Sequence, residues 1–314
     1  MTTAVTTANT SWRPASYEIQ RQARRGLAVF FAILVPLTVI FQAILITTGN
    51  LLWVFPLMWS VAVASVVTRL VLREGFADVS FRFGGGRTWK YLVLALILPM
   101  VIGLIAYGIA WMTGLAQFSP EPLGLVAPYV GDSASPVVVF VLNLALSATI
   151  GTIISALSAA GEEIGWRGYM LTRLIDAGVP RPILVSGLIW GLWHVPLILG
   201  GLIYADSPSP VLAAVLFMVS APSFAYVLAR MRLETGSIWP PLALHAAYNS
   251  IIQIAFAPAT TGAGAPLWVG EEAGILVVLT VVVVAVVFSR GHWTVRRVPE
   301  VQQVEVAASP APHT

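Results

Sequence analysis

The chain has 314 residues, of which 58% are hydrophobic and only 10% are charged, with a formal net charge of +3 at pH 7. So little charge cannot cover the surface of a water-soluble domain of this length, and apolar runs of about 18 or more residues predict transmembrane helices. The runs lack the polar–apolar alternation of membrane β-strands, which favours an all-α bundle. The absence of cysteine excludes disulfides, thiolate nucleophiles and cysteine metal sites.

In chain order, residues 1–26 are polar and basic and predict a cytoplasmic tail. They do not resemble a cleaved signal peptide, because the apolar run behind them is long enough to span the membrane. Residues 27–290 predict a polytopic membrane domain of about eight transmembrane helices, each near the ~20 residues that a span needs, and residues 291–314 predict a second cytoplasmic tail. The predicted spans are 27–48, 51–72, 89–115, 137–161, 182–200, 210–229, 239–257 and 273–289.

The basic residues all fall on one side of this arrangement. The 17 Lys and Arg residues lie in the two tails and in every second loop. In the remaining loops every charged residue is acidic, and these residues are Glu121, Asp132, Asp206, Glu271 and Glu272. The positive-inside rule therefore predicts that both termini are cytoplasmic, and an odd number of spans would break the pattern.

A cytoplasmic connector, residues 164–180, follows the fourth predicted span. Its apolar residues recur at helical spacing, so we expect an amphipathic helix lying along the membrane interface. Gly178 and Pro180 are expected to end it.

Apart from Arg69 and Lys90, which flank a basic loop, four ionisable side chains lie within the predicted spans or at the cytoplasmic end of the fourth. Glu162 and Glu163 lie at the cytoplasmic end of the fourth span, His194 lies in the fifth, and His245 lies in the seventh. Ionisable groups in lipid cost about 2.5–3.5 kcal/mol each on insertion scales and face a cavity or a partner. Counting helical rise from the cytoplasmic ends, all four can converge in the cytoplasmic half of the bilayer.

Helical spacing adds two further residues to this group. Arg167 is four residues after Glu163, which suits an ion pair, and Asn249 is four residues after His245, which places both on one helix face. A carboxylate in such a setting can act as a general base, and His and Asn N–H groups can stabilise an oxyanion. These are the groups that peptide-bond hydrolysis needs.

The same side chains also permit other interpretations. Glu163, His194 and His245 could hold Zn²⁺, which takes nitrogen and oxygen ligands and activates water. A single His could be only an interhelical hydrogen bond, and the two Glu residues could form an interfacial ion-pair cluster with Arg167 and Arg173.

Three functional classes stay open on these residues alone. They are a peptidase, a proton- or metal-coupled transporter, and a non-catalytic immunity or scaffold protein. The spans show no repeated broken-helix halves, which is unfavourable to the transporter. The sequence also lacks GxSxG, HExxH and GxGD, the signatures of other intramembrane proteases.

Three short motifs resemble those of one known family. "EEIGWR" fits EExxxR, "WGLWH" resembles FxxxH, and "HAAYN" fits Hxxx(N/D), in that order on successive predicted spans within residues 135–255. The chain thus resembles the CPBP family, which contains the type II CAAX prenyl endopeptidases and bacterial relatives that include bacteriocin self-immunity proteins. One motif departs from the family pattern, because Trp190 stands at the Phe position of FxxxH.

The resemblance implies an intramembrane endopeptidase with a glutamate-activated water in a cavity open toward the cytoplasmic leaflet. Glu162 resembles the general base, and Glu163 resembles its acidic neighbour, with Arg167 as a structural pair. His194 resembles the residue that binds water or a metal, while His245 and Asn249 resemble the oxyanion-stabilising pair.

Partners and location follow from the same resemblance. We expect membrane lipid and a membrane-associated protein or peptide substrate as partners, and no nucleic acid. The Ala- and Val-rich composition suggests a bacterial cytoplasmic membrane, where protein prenylation is not expected. We therefore do not extend the CAAX substrate to this chain.

Overall fold

A computed structural model of the chain describes residues 17–83, 85–131 and 134–290. The predicted C-terminal tail, residues 1–16 of the predicted N-terminal tail, and the acidic loop residue Asp132 lie outside the described residues. Residues 17–26, predicted as tail, belong instead to the first helix, which extends the apolar run toward its basic end.

The described residues form a helical bundle with one two-residue antiparallel ladder, in which β1 (Gln117–Phe118) pairs with β2 (Thr260–Thr261). The all-α prediction is confirmed. The helices are α1 Tyr17–Thr48, α2 Val54–Leu72, α3 Gly86–Thr113, α4 Pro136–Leu146, α5 Thr152–Gly165, α6 Leu171–Asp176, α7 Pro182–Leu199, α8 Pro210–Thr235, α9 Trp239–Tyr248, α10 Ala265–Val269 and α11 Ile275–Ser289.

Wider π-helical turns interrupt or extend three of these helices. Ser147–Gly151 joins α4 to α5, Trp166–Met170 joins α5 to α6, and Asn249–Phe256 continues α9. The first two make one continuous helical rod of Pro136–Asp176. Single π turns often mark functional positions, because they shift the side chains that follow relative to an α-helical register.

Within the described residues, six helical rods are long and apolar enough to cross a membrane. They coincide with predicted spans one to six, so the chain is a multi-pass membrane protein. The seventh predicted span is α9 with its π-helical continuation, which is more polar because it carries His245, Asn249 and Gln253. The eighth is α11, an apolar helix of 15 residues. The count of eight spans and the cytoplasmic termini stay predictions.

The connector after the fourth span differs from its prediction. The chain from Trp166 to Leu171 is fully buried in protein rather than lying along the membrane interface. The loop between α2 and α3 covers it, and Arg69 of α2 donates through Nη2 to the carbonyl oxygen of Gly168 at 2.9 Å. Its apolar periodicity therefore marks a face packed against protein, not one packed against lipid.

Glycines bring the helices that carry the polar side chains close together. A Cβ on Gly161 of α5 would lie 2.8 Å from the carbonyl oxygen of Met58 on α2. A Cβ on Gly187 of α7 would lie 2.6 Å from Cα of Pro222 on α8. Such backbone contact is typical of membrane helices with small residues at the interface. The contacts hold α5 against α2 next to Glu162, and α7 against α8 within one helical turn of Trp190.

Candidate active site

Glu162 on α5 projects into an internal cavity of the bundle and is only 1% exposed. Its Oε2 accepts hydrogen bonds from two indole groups, from Trp190 Nε1 at 2.6 Å and from Trp166 Nε1 at 3.3 Å. The two donors come from different helical rods. The carboxylate therefore has a fixed orientation, with Oε1 as the oxygen that no indole engages.

Glu163 points in a different direction, behind the cavity wall, and is fully buried. Its Oε1 accepts hydrogen bonds from Arg167 Nη1 at 2.8 Å and from His245 Nδ1 at 2.9 Å. The contact with Arg167 is the i,i+4 ion pair that the spacing predicts. Successive residues on a helix diverge by about 100°, and this separation gives the two neighbouring carboxylates different surroundings. Glu162 faces the cavity, and Glu163 holds His245 in place.

Both histidines use Nδ1 for an internal hydrogen bond. His245 Nδ1 lies 2.9 Å from Oε1 of Glu163, which also accepts from Arg167, so we assign the tautomer whose Nδ1–H donates to it. His194 Nδ1 lies 2.9 Å from the Trp190 carbonyl oxygen, which likewise needs a donor. Each ring thus keeps Nε2 available, and both residues line the cavity.

Trp190 connects the elements of this site. Besides its bond to Glu162, its ring centroid lies 5.6 Å from that of His194 and 5.5 Å from that of His245. The Arg167 guanidinium lies 4.5 Å from the same ring, within the range of a cation–π contact. The sequence motifs assign Trp190 no contact with Glu162. Its indole N–H, which Phe lacks, and its i,i+4 spacing to His194 were the available signals.

The cavity has a volume of about 330 Å³, within the usual size range of small-molecule and peptide subsites. Its walls bring together Glu162, His194, His245 and Asn249, which come from three separate helical rods. Four of the five residues predicted to be catalytic therefore share one space. The fifth, Glu163, contacts that space only through His245.

The direction in which the cavity extends differs from the expectation. Its lining continues from Glu162 to Leu51, to residues 202–204, and to Glu271 and Glu272. All of these lie in or beside loops at the end of the bundle that carries no basic residue in the sequence. The expectation was a cavity open toward the basic, cytoplasmic end.

A second polar cluster borders the cavity at this acidic end. Glu272, in the loop before α11, accepts hydrogen bonds from Tyr204 Oη and from Gln253 Nε2, each at 2.8 Å. These bonds connect its loop to the loop between α7 and α8 and to the π-helical continuation of α9. Burial, together with the charges of Glu272 and Asp206, raises the pKa of Glu271 to about 8. Glu271 and Glu272 fall in this loop in the predicted topology, but nothing in the sequence spacing connects them to the cavity.

The expected zinc ligands do not gather into a metal site. In the part of the chain that the structure describes, no three His, Asp or Glu side chains form a group that could hold a metal ion. Glu163, His194 and His245 are the expected set, but Oε1 of Glu163 is already shared by Arg167 and His245. These donors therefore fit poorly as a ligand shell for Zn²⁺.

A comparison with family models places the site in a known context. Residues 143–251 match the model described as type II CAAX prenyl endopeptidase Rce1-like, over about a third of the chain. This segment contains all three motifs, so the resemblance inferred from them is confirmed. No curated protein matches the chain.

Proposed function

We propose that this chain, whose motif-bearing segment matches the Rce1-like type II CAAX prenyl endopeptidases, is an intramembrane endopeptidase with Glu162 as its general base. The observation that carries the proposal is the shared cavity. Side chains from α5, α7 and α9 have little reason to meet in lipid unless they act together, because each costs free energy there. The substrate would be a membrane-associated protein or peptide, and the location the cytoplasmic membrane of a bacterium.

In the proposed reaction, water binds between Glu162 and Nε2 of His194. The Glu162 carboxylate takes a proton from the water as the water oxygen attacks the carbonyl carbon of the scissile peptide. The same carboxyl group then delivers that proton to the leaving amine when the carbon–nitrogen bond breaks. The two indole donors on Oε2 keep Oε1 directed at the reacting atoms.

His245 and Asn249 would stabilise the oxyanion that forms on the former carbonyl oxygen. They are one helical turn apart and both line the cavity. The mechanism requires His245 to carry protons on both ring nitrogens, so that Nδ1–H is held by Glu163 and Nε2–H is donated to the oxyanion together with the Asn249 amide. Donors fixed in a dry site are the largest single contribution in many acyl-transfer enzymes.

The proposal needs no metal ion, since base, water-binding nitrogen and oxyanion donors are all supplied by side chains. It also does not require a prenylated substrate. The cavity walls are mixed, with polar groups at both ends and apolar side chains such as Leu45, Leu57 and Phe217 between them. An extended peptide segment with an apolar middle would suit this lining.

The test compares three forms of the protein produced at equal levels in cells. These are the wild type, Glu162→Gln, and Glu121→Gln, which changes an exposed carboxylate in an acidic loop. Mass spectrometry of protein termini in the membrane fraction should find new termini with the wild type and with Glu121→Gln, but not with Glu162→Gln. The glutamine form should also co-purify with the uncleaved substrate. Identical termini in all three samples would show that the protein is not a Glu162-dependent peptidase.

A further inference from the structure

The shape of the cavity bears on which side of the membrane supplies the substrate. We propose that the cavity is entered from the acidic, non-cytoplasmic end of the bundle, so that the enzyme cleaves a polypeptide segment exposed on the outer side of the membrane. That the occupant is a substrate rests on the proposed function. The route of entry does not, because it depends only on the cavity and on what closes it.

The lining residues show a gradient of depth along α5. Ser155, Ser158 and Glu162 line the cavity at successive turns, and α5 runs from the acidic end toward the basic end. At a rise of about 1.5 Å per residue, Glu162 lies roughly 10 Å deeper than Ser155. Ile154 and Leu157, which each directly precede one of these serines, face outward and are about 60% exposed, as lipid-facing residues should be. The serines therefore form a polar wall that leads down to the carboxylate.

On the other two helices that carry site residues, the cavity lining also extends from the site toward the acidic end. On α9 the lining continues outward from His245 through Asn249 to Gln253, and on α7 it continues from His194 to Leu197. Both helices run from the basic end to the acidic end. The deepest lining residues are thus Glu162, His245 and Trp190, which form the cavity floor.

Beyond this floor, the basic end is closed by buried side chains. The stretch Trp166–Met170 is fully buried directly beneath Glu162. Loop residues 74–80 cover it, held by Arg69, which donates to the Gly75 carbonyl oxygen at 2.8 Å and forms an ion pair with Asp78. Arg173 of α6 adds ion pairs to Glu74 at 2.9 Å and to Asp78 at 3.0 Å.

A further arginine completes this cytoplasmic seal, the set of Arg69, Arg173, Arg232, Glu74 and Asp78. Arg232 of α8 is buried and donates through Nη2 to the Asp78 carbonyl oxygen at 2.6 Å. Arg69 and Arg232 are buried, and the side chains of Arg173, Glu74 and Asp78 are between 14% and 25% exposed, so together they hold the loop over Trp166–Met170. The seal is therefore a stable closure, and the floor does not open in that direction.

At the opposite end, the cavity reaches loops that are accessible from outside the bundle. Leu51, at the junction of α1 and α2, is 68% exposed, and Tyr204 and Glu271 on the other side of the rim are half-buried. A peptide that entered here would meet the polar wall of α5 and reach Glu162 at the floor. The occupant is accordingly a segment of an exported or membrane-anchored polypeptide on the outer side.

The chain lacks cysteine, so single thiols can report the side of access. The test variant is Ser158→Cys on the cavity wall, and Ser155→Cys is a second one nearer the rim. The matched control is Leu157→Cys, the adjacent residue that faces outward and is 62% exposed. Lys90→Cys at the basic end and Tyr129→Cys at the acidic end mark the two aqueous sides. A membrane-impermeant charged maleimide is applied either to spheroplasts or to inside-out vesicles.

Ser158→Cys and Ser155→Cys should react from the spheroplast side at least about tenfold faster than from the vesicle side, because only a hydrated thiol forms the reactive thiolate. Leu157→Cys should stay unlabelled from both sides. Labelling of both wall positions from the vesicle side, or from neither side while the two aqueous markers react normally, would overturn the proposal. Repeating the labelling in the Glu162→Gln background separates access from catalysis, since the accessible side should not change when turnover is lost.

Discussion

Glu162 keeps a single orientation because two indole N–H groups donate to the same carboxylate oxygen. Hydrogen bonds to a charged group are worth about 1.5–3 kcal/mol, roughly twice a neutral one. A phenylalanine at position 190 would keep the ring contacts to both histidines but would provide no donor. At the residue scale, the Trp190 indole is therefore the side chain whose chemistry can be tested most sharply.

We expect Trp190→Phe to lower the rate of substrate cleavage by about ten- to a hundredfold, which corresponds to the loss of one such hydrogen bond. The control is Trp193→Phe, since the Trp193 indole donates to Thr38 at 2.9 Å and not to Glu162. The measurement is the initial rate of cleavage in proteoliposomes with the substrate identified by trapping. Equal losses in the two variants would mean that the Trp190–Glu162 bond plays no part in the reaction.

The Glu163–Arg167 pair supports a prediction about stability. Arg167→Met leaves the buried Glu163 carboxylate without its cation, and breaking a buried pair in this way costs about 3–5 kcal/mol. The double variant Glu163→Gln/Arg167→Met removes both charges and should recover most of the lost thermal stability in detergent. A double variant that is no more stable than Arg167→Met alone would contradict this account.

At the scale of elements, the π-helical stretches position the site. Trp166–Met170 places Arg167 under Glu163, and Asn249–Phe256 begins with the proposed oxyanion donor Asn249. The second stretch is anchored at its middle, where Gln253 donates to Glu272 in the short helical turn Glu271–Ala273. The acidic loop thus holds the helix that carries His245 and Asn249.

This loop predicts a pH dependence of stability. Burial and the neighbouring carboxylates raise the pKa of Glu271 to about 8 in the folded protein, above its ordinary value of 4.5. The folded state therefore binds this proton more tightly than the unfolded state, and stability falls as the pH rises from about 4.5 to about 8 and levels off above that. The thermal midpoint of Glu271→Gln should lose this part of the dependence. A midpoint that varies with pH equally in wild type and variant would contradict the assignment.

At the scale of the whole molecule, the helices α1, α2, α5, α7, α8 and α9 line one cavity, and the proposed general base Glu162 lies at its floor. In the proposed mechanism the donors act on a peptide and not on a metal ion, because Oε1 of Glu163 is engaged by Arg167 and His245. This arrangement predicts how the purified protein responds to chelation.

Cleavage in proteoliposomes should persist after treatment with 1,10-phenanthroline followed by gel filtration. The expected rate is within about twofold of the untreated protein, since a metal-dependent hydrolase loses several kcal/mol of stabilisation with its ion. A zinc peptidase reconstituted in the same vesicles serves as the positive control. Loss of activity that Zn²⁺ restores would contradict the metal-free mechanism.

Much of the fold could be predicted from the residues alone. All eight predicted spans are largely helical, and six of them belong to rods that are long and apolar enough to cross a membrane. The burial of residues 166–171 could not be predicted, because the same apolar spacing suits lipid and protein equally well. The partners lie far away in sequence: Arg69 contacts Gly168, and Glu74 of the covering loop contacts Arg173, each across 99 positions.

The sequence by itself determined that the chain lies in a membrane, where its charges sit, and which side chains share a helix face, since these follow from hydrophobicity and from 3.6 residues per turn. Only the tertiary structure decided which glutamate faces the cavity, what Trp190 donates to, and at which end the cavity is closed. Those features depend on how separate helices pack against one another, and spacing along one helix carries no information about the rotation or depth of its neighbours.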